Sequence, residues 1–100
     1  MTHVLWRMDK CRLATPDDDR VVTCWHTDEV PGLVVAEVAP GDYSITHAAS
    51  GRKSPGSYSR VSTAMLALLR IGRLADWTQD LEQIRKVLDR KTVLDAERAA

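Results

Sequence analysis

The chain has 100 residues with 14 basic and 14 acidic groups, and a formal charge of zero argues against broad coating of nucleic acid. That length fits one domain, residues 1–100, which can bury a core without disulfide or metal staples. No stretch approaches the roughly 18 apolar residues of a membrane span. The segment Met1 to Lys10 has too short an apolar run, and no basic leader, for a signal peptide. The expectation is therefore a cytoplasmic protein without a membrane partner, its two cysteines reduced.

Residues 3–8 read as a strand, with Val4, Trp6 and Met8 sharing one side. Asp9-Lys10 interrupts the alternation and suggests a bulge. Pro16-Asp17-Asp18-Asp19 is a turn by composition, since Pro presets φ and Asp side chains bond nearby backbone. Closing that turn on residues 16 and 19 places Leu13 opposite Val22 and Cys11 opposite Cys24. One side of the hairpin then carries all four. A second hairpin runs from Leu33 to Val38 and back through a turn at Ala39-Pro40-Gly41-Asp42. Its expected register sets Val38 opposite Tyr43, Ala36 opposite Ile45 and Val34 opposite His47. Glu37, Asp42, Ser44 and Thr46 fall on the other side.

Residues 48–57 are a loop by composition, with two breaker sites. Ser57 or Ser59 caps a helix expected over about 58–73, its stripe formed by Val61, Met65, Leu68 and Gly72 and widened by Leu66 and Leu69. Asp76 and Gln79 have capping-box spacing, and Thr78 is an alternative cap. A second helix is expected over about 78–96. At that length, roughly 28 Å, it overhangs a sheet of four strands some 15 Å wide. Val87, Val93 and Leu94 are then left as a candidate interface for a second copy of the chain or for another protein; the alternative is that the helix breaks near Lys91-Thr92 and folds back on its own domain. The predicted fold is α+β: an antiparallel sheet of about four strands in two hairpins (about 3–48), packed by one helix and followed by a second.

Charge is polarised along the chain. Residues 14–42 carry seven acidic groups and one basic, whereas residues 48–75 carry five basic groups and none acidic. Those five, Arg52, Lys53, Arg60, Arg70 and Arg73, are the candidate anion or partner contacts, because Arg52 and Lys53 precede a helix start whose free N–H groups attract anions.

Motifs for chemistry are absent. Cys11, Cys24, His26 and His47 are all zinc-ligand types, but no Cys-x-x-Cys or His-x3-His pair occurs, and His47 belongs to another hairpin. The plainer reading is two buried thiols with histidines at the rim. A nucleophilic cysteine needs an activating base, and His26 is awkwardly placed to be one. Ser50 to Ser57 has glycines and a lysine without the Gly-Lys-Ser/Thr order of a phosphate loop. No catalytic residue, metal site or cofactor is assigned, and the chain does not read as an enzyme. Trp6, Trp25 and Trp77 default to packing, with a surface partner-binding tryptophan as the alternative.

The stretch Ile45-Thr46-His47-Ala48-Ala49-Ser50-Gly51, with the Ala/Leu/Arg-rich helix and the segment Leu74-Ala75-Asp76-Trp77-Thr78 after it, resembles small orphan proteins of actinobacteria and their phages. The resemblance spans roughly residues 43–79. It implies an accessory or host-inhibitory factor that acts by binding another protein, with no catalytic residues to carry over. The expected function is thus a non-enzymatic protein-binding module, and the alternative is a nucleic-acid-binding protein using the basic segment 52–73.

Overall fold

The computed structural model describes residues 4–14 and 19–98. Four strands, β1 (Arg7–Ala14), β2 (Asp19–His26), β3 (Leu33–Ala39) and β4 (Asp42–His47), precede three helices, α1 (Val61–Ile71), α2 (Leu81–Val87) and α3 (Arg90–Arg98). The strands form one antiparallel sheet in the order β1-β2-β3-β4. The α+β class and the two hairpins are as the sequence predicts.

In the first hairpin Cys11 pairs with Val22, Leu13 with Arg20 and Asp9 with Cys24. This lies two residues from the expected register. A two-residue slip preserves the faces, so Leu13, Cys11, Val22 and Cys24 still share one side. β1 starts at Arg7 and runs unbroken to Ala14, with no bulge at Asp9-Lys10. Pro16 to Asp18 of the expected turn lie outside the described residues.

The second hairpin departs by one residue, which has a larger effect. Leu33 pairs with His47, Val34 with Thr46, Val35 with Ile45 and Ala36 with Ser44, and the expected register holds only at Ala39 and Asp42. A bulge between Glu37 and Ala39 separates the two registers. The turn beside it holds Gly41 at φ 73°, a conformation that other residues adopt only with strain. One residue of slip reverses every side chain of β3 relative to β4. Leu33, Val35, Ile45 and His47 therefore face the helices, and Val34, Ala36, Ser44 and Thr46 face the other way.

Both faces are nonetheless buried. Residues 48–57 do not form a free loop but return along β4. Ser54 N donates to Ile45 O (2.7 Å), His47 N to Arg52 O (2.8 Å), and Tyr43 and Tyr58 exchange two backbone bonds (2.7 and 2.9 Å). Ala14 N then donates to Gly51 O (2.9 Å), tying the end of β1 to this segment. The sheet thus curls towards a small barrel. Its concave side holds Leu13, Val22 and Ala36, with Cys11 and Val38 at the edge. Ser44 and Thr46 are enclosed there and share a hydrogen bond of 3.3 Å.

On the convex side α1 lies across β3 and β4, burying Ala64, Ala67, Leu68 and Ile71 against Leu33, Val35 and Ile45. Burial of each large aliphatic side chain is worth about 1.5–3 kcal/mol. The helix is shorter than expected. It begins at Val61 with Arg60 at the cap position and no side-chain cap, because Ser57 Oγ donates instead to Asp42 Oδ1 (3.1 Å). The buried stripe is rotated from the expected one, and Leu66 is exposed. Asp76 does not open a capping box: its Oδ1 accepts from Thr78 N and Oγ1 ahead of the helix, which lowers the Asp76 pKa.

The expected helix over 78–96 is two helices. It breaks at Leu88, which is extended (φ −142°, ψ 121°), and Asp89 starts a new helix by accepting from Thr92 N (2.7 Å). That bond, with a second from the Thr92 hydroxyl, holds the Asp89 carboxyl below its usual pKa. α3 folds back onto α1, so Val93 is only 8% exposed and Leu94 is partly buried. The overhang that made Val87, Val93 and Leu94 a candidate interface does not exist. Val87 alone remains open, at 74% exposure. No helix among the described residues is long and apolar enough to cross a membrane.

Candidate functional site

Three groups of side chains compete for the role of a site: the basic segment, the polar residues gathered near the sheet, and the surfaces left open by the fold.

The five cations of the basic segment do not converge. Arg70 is engaged internally, its Nε donating to Ala96 O (3.0 Å) and a terminal nitrogen to Glu97 O (2.9 Å). It thereby satisfies carbonyls at the end of α3 that the helix itself leaves without donors. Arg60 and Arg73 flank opposite ends of the 11-residue α1, a helix about 16 Å long at 1.5 Å per residue. Arg52 and Lys53 are exposed on the segment that follows β4.

Glu97 anchors the same region and carried no signal in the sequence beyond being an acid on an amphipathic helix. It is 4% exposed. Its Oε1 accepts from Ser54 Oγ (2.6 Å) and its Oε2 from Gly56 N (3.0 Å). The buried Tyr58 hydroxyl lies beside this carboxylate without a hydrogen bond of good geometry. Burial first, and the Glu97 charge second, push the Tyr58 pKa well up. The cluster ties α3 to residues 54–58.

His47 is buried rather than at a rim. Nε2 donates to Gln79 O (2.9 Å), which fixes the tautomer, so Nδ1 accepts from Ser50 Oγ (2.8 Å) and Ser50 N (3.3 Å). Ser50 Oγ also accepts from Arg52 N (3.2 Å). By composition this is a serine–histidine pair, but both partners are occupied in pinning the 47–52 turn to the segment before α2.

Cys11 and Cys24 are neighbours on the concave side. Burial raises both pKa values, Cys24 to about 12, with Cys11 adding to that shift. Neither thiol is activated as a nucleophile needs to be. His26 Nε2 stands 3.6 Å from Asp9 Oδ2 at the exposed end of the hairpin. Among the described residues no three of His, Cys, Asp and Glu are placed to hold a metal ion.

Two surfaces remain. The first is the convex face of β1 and β2, which α1 does not reach. Met8 and Trp25 are directly opposed there. Met8 is 69% exposed and Val21, on the same face, 70%. Trp25 stands edge-on to Tyr43, ring centres 5.9 Å apart at 65°, so its indole is held rigid while part of it stays in solvent. Trp77, by contrast, is a core residue, its Nε1 donating to Ile71 O (2.9 Å).

The second surface is a cleft of about 870 Å³ between residues 52–55, α2 and the start of α3. Its lining includes buried Leu33, Ile45, Ile71, Trp77 and Ile84, half-buried Leu81 and Leu88, and exposed Arg52, Lys53, Arg85 and Arg90.

With that geometry in hand, comparison with protein families, with characterised proteins and with solved structures finds no match.

Proposed function

We propose that this chain is a non-enzymatic protein-binding module whose partner docks on the convex face of β1 and β2. The observation that carries the reading is mostly exposed Met8 directly opposite a tryptophan packed edge-on to a tyrosine, with Val21, also mostly exposed, four residues from Trp25 on the same face. Aromatic and methionine side chains held on a firm scaffold are the residues that dominate association energies. Lys10 lies on this face between Met8 and Arg12 and donates to Thr23 (2.9 Å), while Arg12 pairs with Asp19 (3.8 Å), so Lys10 is the cation that favours an acidic group on the partner.

An accessory or host-inhibitory role, which the resemblance over residues 43–79 implies, needs only such a surface and no catalytic group. The nucleic-acid alternative rested on convergence of the basic segment. With Arg70 engaged internally and Arg60 and Arg73 at opposite ends of α1, it has no single strip on which to lay a phosphate backbone.

The test is affinity capture from a native host lysate, comparing the wild-type chain with the double variant Met8→Glu, Val21→Glu. Both positions are exposed, so the variant should fold normally. A protein retained by the wild type and lost from the variant supports the reading. Equal retention by both, or no specific protein at all, sinks it.

A further inference from the structure

We infer that the cleft between residues 52–55 and the α2–α3 elbow binds a small anionic amphiphile, an alkyl chain bearing a carboxylate or phosphate head. This site is built from different elements than the face of Met8 and Trp25 and does not depend on the protein-binding reading.

The charge on the cleft is one-sided. Arg52, Lys53, Arg85 and Arg90 line it, and Asp89 is the single carboxylate among its lining residues. Asp89 is turned to its own helix, bound to Thr92 N at 2.7 Å, and does not offset the cations by pairing with them. Among the described residues none of the four cations has a carboxylate within ion-pair distance; the ion pairs are Arg7–Asp28, Arg12–Asp19, His26–Asp9 and Lys91–Asp95. Four cations from three elements, with no local counter-charge, create a field that favours an anion.

Below the cations the walls are apolar. Leu81 and Leu88 project from α2 and its C-terminal end, and Ala14 and Pro55 close the other side; all four are only half-buried. Covering them with an alkyl chain removes apolar surface from water, the usual driving force for such ligands. The volume of about 870 Å³ falls in the range of roughly 300–1,000 Å³ typical of small-molecule sites. An inorganic anion would leave those walls wet, and an uncharged hydrocarbon would leave the cations unanswered. A single-chain amphiphile satisfies both.

The experiment is titration calorimetry with dodecanoate below its micelle concentration, using the whole chain. Saturable binding of one dodecanoate per chain is expected, with dodecyltrimethylammonium at least about tenfold weaker, a difference of about 1.4 kcal/mol. The double variant Arg52→Glu, Arg85→Glu should lose about tenfold or more. Arg73→Glu, a charge reversal outside the cleft, should bind as the wild type does. Because all three substituted positions are exposed, circular dichroism should show unchanged folding. Leu88→Trp, which narrows the wall without altering charge, should also weaken binding. Equal affinity for the cationic amphiphile, or an unaffected Arg52→Glu, Arg85→Glu variant, overturns the inference. So does binding to phosphatidylserine-containing vesicles without any to free dodecanoate, which would mark a headgroup-reading surface instead.

Discussion

Replacing Glu97 by alanine tests what holds the C-terminal helix against the domain. The wild-type carboxylate, 4% exposed, accepts two hydrogen bonds from groups 41 and 43 residues away, Gly56 N–H and Ser54 O–H. Hydrogen bonds to a charged acceptor contribute about 1.5–3 kcal/mol each. Against this stands the cost of desolvating the carboxylate, which the variant no longer bears. The variant also leaves the Gly56 N–H without its acceptor. The balance is a loss of about 2–4 kcal/mol, a large share of the roughly 5–15 kcal/mol by which a domain is stable. For a chain of this size that is a fall in Tm of about 10 °C or more. Glu97→Gln keeps the shape and one acceptor for Gly56 but not the charge, and should fall between the two. Asp95→Ala, which removes only the exposed Lys91–Asp95 contact of 3.4 Å, should leave stability essentially unchanged. Urea unfolding followed by tryptophan fluorescence and circular dichroism measures all three. A Glu97→Ala variant within about 0.5 kcal/mol of the wild type would refute the argument that this buried acid fastens α3.

Gly32 stands at φ 96°, and a Cβ there would run into the backbone carbonyl of Trp77. Gly32→Ala should therefore cost about 2–5 kcal/mol through strain and backbone displacement, and an unshifted urea midpoint would contradict the packing. The Cys24 pKa is raised from 9.0 to about 12 by burial, with Cys11 adding to it. The unfolded chain releases that proton first, so the contribution is present below pH 9 and is lost as pH rises from 9 towards 12. Alkaline unfolding curves should flatten over that window in Cys24→Ala, and iodoacetamide should modify native Cys24 far more slowly than a free thiol at pH 8; fast alkylation would contradict its burial. Asp89→Ala removes the acceptor for Thr92 N and should fray the first turn of α3, read as faster hydrogen exchange at the Thr92 amide. Unchanged exchange there would mean that the elbow is set by packing alone.

Alternation of apolar and polar residues determined four strands, their pairing into two hairpins and the side shared by Leu13, Cys11, Val22 and Cys24, because that pattern survives a two-residue slip. The same reasoning misassigned β3 and β4. Leu33 to Ala36 are buried on both faces, so alternation there carries no information on which face is which, and the bulge at Val38 settled the register. What encloses the second face is the return of residues 51–54 along β4 and the bond from Ala14 to Gly51, contacts between segments far apart in sequence. The basic segment was legible as charge but not as a surface, since only the packing of α3 on α1 revealed that Arg70 faces inward. The elbow at Leu88 and Asp89 was legible only as the alternative of a break, which the sequence places near Lys91-Thr92. Leu81, Ile84 and Leu88 continue a helical stripe into Leu94, and periodicity cannot report that turning the chain there buries Val93 and gives Glu97 two donors. The cleft and its four cations exist only because of that turn. Local pattern sets which residues form each element, whereas the site depends on where long-range burial makes the chain bend.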